Sequence, residues 1–344
     1  MLSLLVILAY LFLQMHQIGK SNHNEERNST FKINQSTKIG YVSLNVSDIQ
    51  NSLEFYQSIL GFRQIQKKSC VAADRAYLST GGTQSSIPML ELVQTSQTDS
   101  NLANSRRAGL YHFAILLPER KNLADVLLYL SDKQDKIRFD GLADHLVSES
   151  LYIRDPDFIG IEIYSDRPQS EWKWNDENDN KNNNNNNNNN RQLQMATLPL
   201  NTDNLLKEAT DKGWIGMPTN TMIGHVHLHV RDLSNAMNFY RDILGLNLTT
   251  TNPGAYFFAA GRYHHHIATN TWLGTNILPA SPKSIGLNHF SIELPSKEEF
   301  DRTFKQLQHQ NIVESNSEIS SKAIFIRDPN GIRISLSYGR ITIE

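Results

Sequence analysis

One phrase occurs twice in this chain, and any fold for it has to accommodate the repetition. It runs from Ile39 through Tyr41, Val42, Leu44 and Val46 to Asp48, then on to Phe55-Tyr56 and Ile59-Leu60-Gly61. It returns from Ile223 through His225, Val226, Leu228 and Val230 to Asp232, then on to Phe239-Tyr240 and Ile243-Leu244-Gly245. Each copy offers a short alternating strand, an Asp that can start a helix, an amphipathic stretch and a closing Gly. Tyr41 in the first copy becomes His225 in the second, a change in metal-ligand chemistry.

Each half also contains a weaker version of itself. Gly109-Leu110-Tyr111-His112-Phe113-Ala114 parallels Gly286-Leu287-Asn288-His289-Phe290-Ser291, and helices are expected at about Leu123–Leu130 and Lys297–Gln308. Tyr152-Ile153-Arg154-Asp155-Pro156-Asp157 parallels Phe325-Ile326-Arg327-Asp328-Pro329-Asn330. Asp-Pro initiates a turn, and Gly160 and Gly331 stand nearby for backbone with positive φ. The pattern predicts an α+β chain of four βαβββ modules, at 38–95, 109–168, 222–275 and 285–340.

The uninterrupted Asn run 182–190 sits in a polar stretch that cannot bury enough apolar surface to fold. Residues 171–217 are therefore expected to be a linker between two tandem domains, 38–170 and 218–344. The length of 344 residues suits that division. A net charge of −2 gives no electrostatic case for a nucleic-acid partner. A single cysteine, Cys70, excludes an internal disulfide and a Cys-based zinc site. The apolar run Leu2–Leu13 is shorter than a membrane span of roughly 20 residues and suits a signal-peptide core. Glycosylation triplets begin at Asn28, Asn34, Asn45 and Asn247. Residues 1–37 are thus expected to be signal-like and then disordered, which puts the protein in the secretory pathway, or in the cytoplasm if the run is not a signal.

These strings, with Ile161-Glu162-Ile163-Tyr164 and Tyr263-His264-His265-His266-Ile267, resemble the vicinal-oxygen-chelate superfamily of glyoxalase I, bleomycin-resistance proteins and extradiol dioxygenases. Within it the chain resembles four-module, catechol-2,3-dioxygenase-like proteins over about 38–340. The resemblance implies one metal ligand on the first strand of a module, a second on the first strand of its partner, and a carboxylate on that partner's last strand. The first-strand positions are Tyr41, His112, His225 and His289; Glu162 and Ser335 take last-strand positions. Pairing modules that are neighbours in sequence gives Tyr41, His112 and Glu162, or His225, His289 and Ser335. Neither set has two imidazoles and a carboxylate. Pairing the second module with the third gives His112, Glu162 and His225, a facial triad with open positions, and leaves Tyr41, His289 and Ser335 as a degenerate remainder.

The same resemblance makes His265 the acid/base histidine and Tyr152 a substrate-side hydroxyl; His145, which precedes the Tyr152 strand, is a candidate substrate contact. Plainer readings stand beside these. His227 and His229 share a strand face with His225 and are expected to pack or support rather than ligate. His264 to His266 could form a solvated turn, and Tyr152 could be ordinary strand packing. Glu162 points opposite to Ile161 and Ile163, and an unpaired buried carboxylate is costly, which favours a cation there. Phe158 departs from the family pattern, which has Gly at that place in the turn.

The implied activity is Fe(II)-dependent extradiol cleavage of a catechol with O2, to a hydroxymuconic-semialdehyde-type product. Mn(II) is the alternative metal, and a homo-oligomer is compatible with the chain. The alternatives on the same fold are a glyoxalase-type metal-dependent isomerase or lyase and a metal-free binding protein of the bleomycin-resistance kind.

Overall fold

The computed structural model describes residues 31–66, 74–81, 86–95, 106–175, 192–314 and 322–342. The apolar N-terminal run, Cys70 and the Asn tract lie outside those residues.

The first module comprises β1 (Lys38–Val46), α1 (Ile49–Glu54), β2 (Arg63–Gln64), β3 (Arg75–Ser79) and β4 (Leu90–Gln94). The second comprises β5 (Gly109–Leu116), α2 (Arg120–Ser131), β6 (Arg138–Asp144), β7 (Ser148–Arg154) and β8 (Gly160–Asp166). After α3 (Thr202–Leu206), the third has β9 (Met222–His229), α4 (Leu233–Met237), β10 (Asn247–Asn252), β11 (Ala255–Ala259) and β12 (Ile267–Asn270). The fourth has β13 (Gly286–Leu294), α5 (Lys297–His309), β14 (Ala323–Arg327) and β15 (Arg333–Tyr338).

The repeated phrase folds the same way twice. The Asp48 carboxylate accepts from the Gln50 and Asn51 amides to start α1, and Asp232 accepts from Asn235 to start α4. Both helices then widen into a π-turn, Phe55–Ile59 and Asn238–Ile243. There Tyr56 and Tyr240, both fully buried, donate to Asp155 at 3.0 Å and to Asp328 at 3.1 Å. These bonds tie the first module to the second and the third to the fourth.

The sheets are assembled differently. One runs β10-β11-β12-β9-β5-β8-β7-β6 and the other β14-β15-β13-β1-β4-β3-β2. The second and third modules therefore share a sheet through the antiparallel pair β5/β9, and the first and fourth share one through β1/β13. Each sequence half contributes to both sheets, so the boundaries 38–170 and 218–344 do not coincide with them.

Alternation along the strands sorts the side chains. Phe113, Ile115, Ile161, Ile163, Val226 and Leu228 join the main apolar core, with Leu123, Val126 and Leu130 of α2. Each such burial contributes about 1.5–3 kcal/mol. His112, Glu162, His225 and His227 point the other way, into the concave face. Asp140 to Ala143 on one edge strand and Asn252 on the other line the same cavity, so the sheet curls around it.

The expected linker corrects in part. Residues 192–217 are built into the fold, and 193–198 cross the gap between the two edge strands. The Leu193 amide donates to Thr249 on β10 at 2.7 Å, while Asp144 on β6 and Leu198 exchange two backbone bonds of 2.9 Å. Leu193 is buried with Trp172 and Val147. Apolar residues spaced along an otherwise polar stretch supply the burial that the Asn run cannot.

Of the glycosylation triplets, Asn45 is buried and its amide donates to the Pro282 and Ser284 carbonyls.

Candidate metal centre

Strand pairing brings the three candidate ligands together. On β5 and β9, His112 pairs with His227 and Ala114 with His225; β8 runs parallel to β5 with Glu162 beside Ala114. Glu162 Oε2 lies 3.0 Å from His112 Nε2 and 3.0 Å from His225 Nε2. All three side chains are buried. Two donors on adjacent octahedral positions, with bonds of about 2.1 Å, lie about 3 Å apart, so this spacing fits a metal ion. His112 Nε2 is buried and makes no hydrogen bond, and a metal would satisfy it. Ser150 Oγ donates to Glu162 Oε1 at 2.6 Å, which holds the carboxylate in position.

The electrostatics suit a donor set. Burial pulls the His225 imidazole down to about 4 despite the neighbouring carboxylate, so it is neutral at ordinary pH, as a ligand must be.

The candidate catalytic residues surround the triad. Tyr152 on β7 pairs with Glu162 on β8. Its hydroxyl lies 2.7 Å from His145 Nε2, and His145 Nδ1 lies 2.7 Å from the Ala196 carbonyl. A carbonyl only accepts, so His145 carries its proton on Nδ1, and the Tyr152 hydroxyl donates a hydrogen bond to Nε2. The oxygen of Tyr152 is left with its lone pairs for a ligand. His265 is buried and lies just before β12, rather than on the strand, with its Nδ1 2.7 Å from His264 Nδ1. His112, Glu162, His225, His265, Tyr152 and His145 all line one cavity of about 360 Å³, within the range of about 300–1,000 Å³ usual for small-ligand sites. Tyr111, Phe257, Trp272 and Met195 supply its apolar and aromatic wall.

His227 and His229 have partners of their own. Asn270 donates to His227 at 2.9 Å and accepts from His229 at 2.7 Å, so both are engaged outside the triad. His264 and His265 are buried, not parts of a solvated turn.

Two features were missed in the sequence. Met195, Ala196 and Thr197, from the expected linker, line the cavity. In the other sheet, Glu91 pairs with Ser43 as Glu162 pairs with Ala114, so it holds the corresponding carboxylate position. The signal was present, because Leu90-Glu91-Leu92 repeats the pattern of Ile161-Glu162-Ile163. Tyr41 Oη lies 2.8 Å from His289 Nε2, Glu91 Oε2 lies 4.0 Å away from the same nitrogen, and the Arg75 guanidinium pairs with Glu91. That remainder already contains a cation. Ser335 pairs with Ser291 at the fourth module's matching position. The third module's matching position is Ala268, paired with His227, so no second carboxylate faces the triad from β12.

Phe158 keeps the turn that its identity put in question. It adopts φ 63° and is 62 % exposed, where the matching turn of the fourth module has Gly331 at φ 84°. The Asp155 carbonyl still accepts from the Phe158 amide at 3.0 Å.

Comparison with known proteins gives consistent results. A family profile described as the Glyoxalase/Bleomycin resistance protein/Dioxygenase superfamily matches residues 38–163 and 222–336. The chain is 36% identical over 300 residues to the catechol-2,3-dioxygenase of Bacillus subtilis, covering 86% of this chain and 95% of that protein. It is 24% identical over 123 residues to a biphenyl-2,3-diol 1,2-dioxygenase of Rhodococcus globerulus, covering 35% of this chain and 64% of that one. In fold it is similar to a putative dioxygenase from Bacillus subtilis, with a TM-score of 0.57 and 12% identity, over 91% of this chain and 88% of that one. It is also similar to a glyoxalase I mutant from Zea mays, with a TM-score of 0.52 and 14% identity, over 88% and 94%.

Proposed function

The chain belongs to the Glyoxalase/Bleomycin resistance protein/Dioxygenase superfamily, and from that membership we propose that it is an Fe(II)-dependent extradiol dioxygenase that cleaves a catechol with O2. The observation that carries this reading is the convergence of His112, His225 and Glu162 at 3.0 Å spacing on a cavity that His265, Tyr152 and His145 also line. Two imidazoles and one carboxylate leave room for a bidentate diol and O2. Ala268 stands where a fourth, carboxylate ligand would complete a glyoxalase-type set, which favours ring cleavage over isomerisation. The similarity to a catechol-2,3-dioxygenase over nearly its whole length supports the same substrate class.

Bound at the triad, ferrous iron supplies the path by which the electron-rich ring delivers electrons to O2. The protein's residues do the rest. Glu162 and the two imidazoles fix the site on one face, and Ser150 keeps the carboxylate aimed. The His265 imidazole takes a proton from a catechol hydroxyl and returns it during ring opening. Tyr152, with its proton committed to His145, accepts from the substrate's other hydroxyl. Phe257, Trp272 and Tyr111 hold a flat ring and limit water in the cavity.

The test is elemental analysis of protein prepared without oxygen in the presence of Fe(II), followed by addition of catechol. About one iron per chain is expected for a single facial triad, with a yellow ring-fission product, and Glu162→Ala should lose both. Bound zinc or nickel without colour would favour the isomerase, and the absence of any bound metal would sink the reading.

A further inference from the structure

We infer that Asp166 and His264 are a positioning pair that fixes the tautomer of His265, so that its Nε2 meets the cavity as a proton acceptor. The inference rests on the reading of His265 as the base and adds what sets that base.

The argument follows hydrogen-bond polarity from the edge of the site inwards. Asp166 ends β8, the strand that carries Glu162. Its Oδ1 lies 3.0 Å from His264 Nε2, and its Oδ2 lies 3.0 Å from the Tyr263 hydroxyl. An ionised carboxylate can only accept, so both neighbours donate to it. The Tyr263 proton is thereby committed, and Tyr164, 2.8 Å from the Tyr263 oxygen, is the donor to it. His264 carries its proton on Nε2. A neutral imidazole has one N–H, which leaves His264 Nδ1 as a lone pair. That lone pair lies 2.7 Å from His265 Nδ1, and the contact is a bond only if His265 donates. The Nε2 of His265 is then unprotonated, on a ring that lines the cavity.

The chain is held rigidly. His264 is fully buried, with ring centroids of Tyr263 at 4.1 Å, Trp172 at 5.5 Å and Tyr164 at 5.9 Å from its own. Without the pair, nothing would prevent His265 from carrying its proton on Nε2. It would then offer a donor to a substrate that must itself lose a proton.

Two measurements test this on the full chain. The first is a long-range proton–nitrogen correlation spectrum of metal-free protein carrying nitrogen-15 histidine, with His265→Gln used to assign the ring. His265 should be protonated at Nδ1 in the unsubstituted protein and should shift towards the other tautomer in His264→Phe and in Asp166→Ala. The second is steady-state catechol cleavage by the Fe(II)-loaded forms. Both variants should keep their iron content and KM while kcat falls about 10–100-fold, the usual cost of losing an outer-shell partner. Asp166→Glu, which restores a carboxylate acceptor, should recover most of that loss. His265 protonated at Nε2 in the unsubstituted protein, or variants that leave both tautomer and kcat unchanged, would overturn the inference. The spectrum does not depend on catalysis. A chain that cleaves no catechol would defeat the dioxygenase reading while the tautomer result still decides this one.

Discussion

The hydroxyl of Tyr164 fills the space that a side chain at residue 224 would need: a Cβ built on Gly224 would lie 1.7 Å from it. Tyr164 is fully buried in the second half of β8, and Gly224 directly precedes the candidate ligand His225. Gly224→Ala has to displace either the tyrosine or the strand, and overpacking of this kind costs about 1–3 kcal/mol. A lower denaturation midpoint is expected, together with weaker metal binding because His225 moves with its backbone. An unchanged midpoint would mean that the tyrosine has somewhere else to go.

Ser150→Ala removes the donor to Glu162 Oε1 and leaves every candidate ligand in place. Metal affinity should fall about 10–100-fold, as for other outer-shell partners, with little change in fold. Competition against a chelator of known affinity reads this directly. Equal affinity in the two proteins would show that burial alone holds the carboxylate.

Phe158 sits in the left-handed region with its ring exposed. A side chain there costs about 1–2 kcal/mol relative to glycine, while glycine loses roughly 0.5–1 kcal/mol of backbone entropy on folding. Phe158→Gly should therefore raise stability by up to about 1.5 kcal/mol and leave the cavity intact. A clear loss would mean that the Arg138 guanidinium, 5.5 Å from the ring centroid, gains more from that ring than its exposure suggests.

Asp155 gives the fold a pH dependence of defined sign. Burial, with Asp157 nearby, pushes its carboxyl up to about 7, against bonds from the Ile159 amide and the Tyr56 hydroxyl that lower it. Below about pH 4 both the folded and unfolded chains hold this proton, and its stabilising contribution is complete. As pH rises through about 7 the folded chain must ionise Asp155 in place, and the contribution is lost. The rise to about 7 corresponds to on the order of 4 kcal/mol. Asp155→Asn cannot ionise, so the stability of the natural chain relative to this variant should fall between pH 4 and 8. Parallel stability curves would refute the assignment.

Much of this architecture is legible in the sequence. Strand alternation and the repeated Asp and Gly punctuation are local signals, and they delimited four modules. The cross-pairing was legible for a different reason: neighbour pairing leaves neither set with two histidines and a carboxylate, whereas joining the second module to the third does, and β5/β9 pairing brings that set together. The strap at 193–198 was not legible, because its hydrogen bonds go to two edge strands far away in sequence. Glu91 was overlooked although its flanking leucines announce it. The Asp166–His264–His265 chain could not be read either. Adjacent histidines carry no sign of which nitrogen meets which partner until the backbone fixes their rings.

The order of sheet assembly also bears on how the chain is made. A ribosome releases β5 long before β9, and β1 long before β13, so each of the first two modules emerges with a central edge that has no partner yet. The inner pair can close as soon as β9 to β12 have emerged. The outer pair must wait for nearly the whole chain, since its partner is the last module. Closing such distant pairs is entropically slow, and an unpaired edge invites association with other chains. The nascent protein therefore carries an unpaired β1 edge for most of its synthesis, and the sheet begun first is the one completed last.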